Sequence, residues 1–119
     1  RASWKAFREG CILNRIISGR GWATRFIKNN GVVIRTINLL RYKYEKLSEV
    51  RYALDDIEDA DYLDSINYLS ESGYISLRHI KTKQPAEIAD VDYNELEAKL
   101  TAKGIKLLAG NIFDDLVEV

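Results

Sequence analysis

The chain has 119 residues, of which 46% are hydrophobic and 30% charged, a composition that indicates one globular domain and excludes a typical disordered tail. One Cys and one His exclude an intrachain disulfide and a zinc site, and no apolar run approaches the roughly 20 residues of a membrane span. The net charge of zero conceals two halves of opposite sign: residues 1–46 carry 11 bases and 2 acids (+9), and residues 47–119 carry 7 bases and 16 acids (−9).

Residues 1–31 are predicted to form a basic helical extension. Apolar side chains at three- and four-residue spacing indicate an amphipathic helix over 4–17, with a stripe formed by Trp4, Phe7, Cys11, Ile12 and Ile16. After a glycine-containing break, a short helix over 22–29 is expected to end at Asn30-Gly31. An amphipathic helix without a partner in its own domain needs one elsewhere, so this extension is expected to be a dimerisation element or a nucleic-acid arm.

Three helices are predicted next. The first covers residues 32–44, where apolar residues recur at helical spacing. The second begins at Ser48, which is a suitable N-cap, and the third covers residues 60–72, where acids suit the positive end of the helix dipole. Gly73 is expected to end the third helix in the left-handed conformation.

The apolar period then changes from that of a helix to that of a strand. Alternating apolar residues predict a strand over 74–80 and a returning strand over 96–100. A short helix over 101–110 follows, capped by its first residue and ended by its last. Residues 111–119 are predicted to form an acidic tail with an apolar tag.

This order of elements resembles a winged helix, in which three helices form the core and a hairpin covers its open side. The run Tyr68–Ile75 matches the pattern in which the third helix ends at glycine and continues into the wing. The run Leu100–Leu108 matches the closing corner of winged-helix regulators such as the MarR and PadR groups, and its Leu-Thr-x-Lys-Gly motif is also similar to small Mu-like phage and prophage proteins. The expected fold class is mainly α with a small β-hairpin: a winged helix-turn-helix over 32–110 with an N-terminal helical extension.

The resemblance implies double-stranded DNA as the partner and a role as a transcriptional regulator or phage accessory factor. In winged-helix proteins the third helix enters the major groove, and the wing contacts the backbone or minor groove. The asymmetric charge also favours a basic segment that binds nucleic acid or an acidic partner, although the basic half can instead neutralise the acidic half. The DNA contacts expected from the resemblance are Arg51, Ser65, Asn67, Arg78, Lys81 and Lys83.

The acidic third helix favours a different class of function. Asp61, Asp64 and Glu71 are expected on its outward side, and carboxylates that face a polyanion oppose binding. The alternative is a protein-interaction module whose third helix docks a basic surface, on another protein or on the N-terminal segment of a second copy. A homodimer is expected through Trp4, Phe7, Cys11, Phe113 and Leu116.

The sequence offers no pattern that indicates catalysis. The acidic run 55–64 lacks the glycine and the glutamate of an EF-hand loop, and Gly19-Arg20-Gly21 is not followed by the lysine of a phosphate-binding loop. His79 has no nucleophile motif around it. We therefore expect a protein without enzymatic activity, cofactor or metal, located in the cytoplasm because no signal peptide or membrane span is visible.

Overall fold

The computed structural model describes residues 20–40 and 42–119. The predicted helix over 4–17, with Trp4, Phe7 and Cys11, lies outside these residues. In chain order the elements are α1 (Arg20–Ile37), a 3₁₀ turn (Asn38–Leu40), β1 (Glu45–Lys46), α2 (Leu47–Ala53), α3 (Asp59–Glu71), β2 (Ile75–His79), a second 3₁₀ turn (Tyr93–Glu95), β3 (Leu96–Leu100) and α4 (Ala102–Leu108). The described part is therefore a mixed α/β arrangement, with more sheet than the single predicted hairpin.

Helix α1 runs without a break through the predicted helix end at Asn30-Gly31, so that prediction is wrong. Gly31 is needed for close packing, because a Cβ atom there would lie 1.8 Å from the carbonyl oxygen of Glu118. The amide of buried Asn30 donates to the carbonyl of Leu116 at 2.9 Å. The boundary expected between residues 31 and 32 thus falls inside α1, and the 32–44 helix ends at Ile37 instead.

The sheet has the strand order β1–β3–β2, and both pairs are antiparallel. The two-residue strand β1 is absent from the sequence-based prediction, because two charged residues show no apolar alternation. The inner side of the sheet carries buried apolar side chains: Ile75, Leu77, Leu96, Ala98 and Leu100. Since strand side chains alternate, the residues between them form an outer face directed away from the helices.

The two sequence runs that resemble a winged helix meet at one corner of the structure. Gly73 has a φ of +83°, as predicted for the residue that ends the third helix. The hydroxyl of Thr101 donates to the Gly73 carbonyl and accepts from the Gly104 amide, which caps α4. Gly104 packs so closely that a Cβ atom would lie 2.2 Å from the Tyr74 carbonyl oxygen. This corner fixes the end of α3 against the sheet.

The C-terminal segment packs on the domain and is not a free tail. Both Tyr68 and Tyr74 donate their hydroxyl hydrogens to Asp114 at 2.7 Å. Burial raises the pKa of Asp114, but these two hydrogen bonds, together with the backbone N–H of Leu116 and the charge of Lys103, hold the pKa below its ordinary value. Val117 belongs to the core, and Arg35 donates to the carbonyl of Glu118.

Candidate interaction surfaces

Two of the six predicted DNA contacts lie on α3, and one of them is inaccessible. Ser65 is 0% exposed, because it shares a buried stripe with Tyr62, Ile66 and Leu69 at helical spacing. Its burial contradicts the expected base contact, and that spacing was the sequence signal for the burial. Asn67 is exposed on the outward side of α3.

Arg51 is directed at its own chain. Its Nε donates to a carboxylate oxygen of Asp59 at 2.7 Å, and a terminal nitrogen donates to the Leu54 carbonyl at 3.0 Å. The side chain is only 20% exposed. Arg51 therefore ties α2 to the start of α3, and its guanidinium is largely occupied within the domain.

Arg78 and Lys83 share one carboxylate, that of Glu97. Arg78 Nε lies 2.5 Å and Lys83 Nζ 3.3 Å from the same oxygen, Oε2. Burial alone would raise the pKa of Glu97, but the hydrogen bonds and positive charges of Arg78 and Lys83 hold it below its ordinary value. Glu97 neutralises part of the predicted phosphate-binding charge, whereas Lys81 is exposed in the turn that follows β2.

Tyr44 organises the outer side of the sheet. The guanidinium carbon of Arg78 lies 3.5 Å and Lys99 Nζ 5.5 Å from the centroid of its ring. The register places Lys46 directly opposite Glu97, on the same side. We call this the sheet face, which carries four bases and one acid and consists of Tyr44, Lys46, Arg78, Lys83, Glu97 and Lys99.

The connector between α2 and α3, together with α3 itself, is acidic. Between Arg51 and Arg78 the chain has seven acids and no Lys or Arg. We call them the acidic surface, which consists of Asp55, Asp56, Glu58, Asp59, Asp61, Asp64 and Glu71. Within the described residues, no Lys or Arg nitrogen lies within 4.0 Å of the three exposed carboxylates of the α2–α3 connector: Asp55, Asp56 and Glu58.

One side of α1 packs on part of the acidic surface. Arg25 Nε lies 3.2 Å from Asp61, and the indole N–H of Trp22 donates to Asp64 at 3.4 Å. Phe26 stacks on Trp22 with ring centroids 4.9 Å apart and meets Tyr68 edge-on. Helix α3 thus already contacts a helix face that combines an arginine with two aromatic rings.

The C-terminal residues expected at a dimer interface are accessible. Phe113 is 88% exposed and Leu116 37% exposed. Phe113 borders a groove of about 440 Å³ between α1 and the C-terminal segment, which Ile27 and Leu107 also line. Dimerisation through these residues stays a prediction.

Comparison with protein-family models, with curated proteins and with solved structures finds no match to this chain. Among residues 20–40 and 42–119, no three His, Cys, Asp or Glu side chains are placed to hold a metal ion together. No helix in the same ranges combines the length and the apolar character needed to cross a bilayer.

Proposed function

We propose that this chain is a winged-helix domain. The order α1–β1–α2–α3–β2–β3, with β3 central in the sheet, supports this proposal. Further support comes from the corner at Gly73 and Thr101, where both family-like sequence runs meet. Under this assignment α3 is the helix that corresponds to the DNA-recognition helix, and the β2–β3 loop is the wing.

We infer that the domain is a protein-interaction module whose acidic surface docks a basic partner. The acidic surface carries this inference, because its exposed carboxylates lie on α3 and directly before it, where a DNA-binding relative needs cations. The three exposed acids of the α2–α3 connector make no salt bridge with described residues, which supports this inference.

The pairing of the predicted cations also opposes DNA recognition through α3. Of the cations expected to bind phosphate, Arg51 and Arg78 are held by carboxylates and Lys83 is partly neutralised. The expected base contact Ser65 is buried.

The contact between α1 and α3 indicates the chemistry of the partner. Arg25 and Trp22 of α1 engage two of the acids through a guanidinium and an indole N–H. A partner helix or loop with arginine and aromatic side chains matches this pattern. Arginine is suited to it because its planar group binds carboxylates and stacks on rings.

Titration of a fluorescent oligoarginine peptide, followed by anisotropy at low and moderate salt, tests this function. We expect salt-sensitive binding that the double variant Asp55→Lys, Asp56→Lys weakens at least tenfold. The variant Asp115→Lys, Glu118→Lys changes the net charge equally on exposed C-terminal residues and should retain most of the affinity. Equal loss in both variants, or no binding by the natural chain, would overturn the assignment.

DNA binding through the sheet face is the second candidate function. It is favoured by Lys46 and Lys99 of the sheet face and by Lys81 in the turn after β2, which have no described carboxylate within 4.0 Å. Labelled random duplex DNA in the same titration distinguishes this function. Micromolar binding that decreases steeply with salt, and is lost in the variant Lys46→Glu, Lys81→Glu, would establish it in place of the interaction module.

A further inference from the structure

We propose that the basic partner of the acidic surface is the sheet face of a second copy of this chain, so that copies associate head to tail. This inference rests on the proposed function and names the partner for it. It assigns a role to the sheet face, which the interaction module otherwise leaves unused.

The two surfaces are formed by different parts of the chain, the sheet face by the strands and the residues beside them, and the acidic surface by α3 and the connector before it. The inner side of the sheet is buried against the helices, so the sheet face is directed away from them. The connector acids Asp55 and Asp56 lie in the turn between α2 and α3 and are exposed. One copy can therefore present its sheet face to one neighbour and its acidic surface to another.

The charges of the two surfaces are complementary. The sheet face has a net charge of +3, from four bases and Glu97. The connector contributes three exposed carboxylates without a described salt-bridge partner. Because the whole chain has a net charge of zero, two copies do not repel each other as a whole, and proteins near zero net charge associate most readily.

The sheet face is also built to keep its cations in place. The ring of Tyr44 lies against Arg78, and Glu97 holds Arg78 and Lys83 at fixed positions on the strands. Lys46 and Lys99 flank this group and are free of described carboxylates. Preorganised cations lose less side-chain entropy on binding than mobile ones, which favours association with an acidic surface.

Duplex DNA is the less favoured occupant of the sheet face. Glu87 and Asp90 line a depression at the β2 edge, beside Arg78 and Lys83, and would face the phosphates that extend past this edge. A second copy brings three connector carboxylates in place of a continuous line of phosphates, so fewer negative charges would face Glu87 and Asp90.

A head-to-tail contact joins two different surfaces, so it does not close into a twofold dimer and can continue from copy to copy. The mass in solution is therefore expected to rise with protein concentration at low salt. It is expected to return to the monomer mass at high salt, where exposed charges are screened.

Sedimentation velocity of the full chain over a range of concentrations tests this assembly. Two double variants reverse the charge of one surface each: Lys46→Glu with Lys99→Glu on the sheet face, and Asp55→Lys with Asp56→Lys on the acidic surface. Each double variant should raise the concentration needed for assembly at least tenfold. The control Lys28→Glu, Lys106→Glu makes the same charge change at exposed positions of α1 and α4 and should assemble like the natural chain. An equimolar mixture of the two reversed variants should assemble again, because each then offers the charge that the other lacks.

Three results would overturn the inference. The first is a natural chain that stays monomeric at low salt. The second is unchanged assembly of the double variant Lys46→Glu with Lys99→Glu, and the third is a mixture of the two reversed variants that does not assemble. If the sheet-face double variant keeps its mass but loses binding of duplex DNA, the sheet face is a phosphate-binding surface. Because oligoarginine binding depends on the acidic surface alone, the proposed function can hold even where this inference fails.

Discussion

The sheet face and the acidic surface use charged residues in opposite ways. On the sheet face, Arg78 and Lys83 share the nearly buried Glu97, and Tyr44 covers one side of the arginine. On the acidic surface, Asp55 and Asp56 project from a turn without a salt bridge to any described residue. The comparison indicates that internal pairs fix the positions of Arg78 and Lys83, whereas no described side chain fixes the carboxylates of Asp55 and Asp56.

The corner at Gly73 and Thr101 joins α3, which carries part of the acidic surface, to the strands of the sheet face. Disruption of this corner should therefore destabilise both surfaces. A Cβ atom at residue 104 would lie 2.2 Å from the Tyr74 carbonyl oxygen, which cannot move without shifting the strand. We expect Gly104→Ala to lower the free energy of unfolding by about 3 kcal/mol. Urea denaturation measures this loss. At Gly110, which has open space around it but a φ of +85°, alanine should cost only about 1 kcal/mol.

Substitution of Glu97 should remove the ion pairs of the sheet face and leave the acidic surface unchanged. Glu97→Gln leaves Arg78 and Lys83 close together without their anion, and we expect a loss of about 2 kcal/mol, moderated because both cations are partly exposed. The matched control is Glu95→Gln, which removes an exposed partner of His79 and should change the stability by less than about 0.5 kcal/mol. Equal losses in the two variants would mean that burial of the pair is unimportant.

The pH dependence of stability should come from the paired acids. The pKa of Glu97 is lowered on folding, so its stabilising contribution is fully present above the unfolded pKa of 4.5 and is lost as the pH falls through the folded pKa. Asp114 behaves in the same way below its ordinary value of 3.8. We expect thermal unfolding scans to show stability falling below pH 4.5, with a shallower decrease in Glu97→Gln. An identical slope in that variant would contradict the role given to Glu97.

The smallest effect on stability is expected on the acidic surface. Asp55→Lys, Asp56→Lys should change the free energy of unfolding by less than about 0.5 kcal/mol, because both side chains are exposed and no described cation is lost. The same variant should bind oligoarginine at least tenfold more weakly. Denaturation and anisotropy on one preparation check both parts. A large loss of stability would show that these carboxylates are structural.

Local patterns in the sequence predict α3, the hairpin and α4 well. Gly73 and Thr101 act through their own conformation and hydrogen bonds, and both behave as predicted. The end of α1 is mispredicted because the reason for Gly31 lies in the C-terminal segment, 87 residues further along the chain. Local propensity therefore favours a helix end where tertiary packing continues the helix.

The candidate surfaces are less predictable than the fold. The sequence identifies Arg51 and Arg78 as cations but contains no local signal that Asp59 and Glu97 bind them. The buried position of Ser65 follows from its spacing to Tyr62 and Ile66, so it is recoverable from the pattern. The acidity of α3 is fully visible in the sequence, and it is the feature on which the proposed function depends.

The most direct test of that function is to map amide chemical shifts of the isotope-labelled chain during titration with oligoarginine and, separately, with random duplex DNA. The account predicts that oligoarginine shifts the resonances of residues 55–64 most strongly and that DNA leaves those of α3 unchanged. DNA-induced shifts centred on α3 and Asn67, with no response of residues 55–64 to oligoarginine, would contradict it.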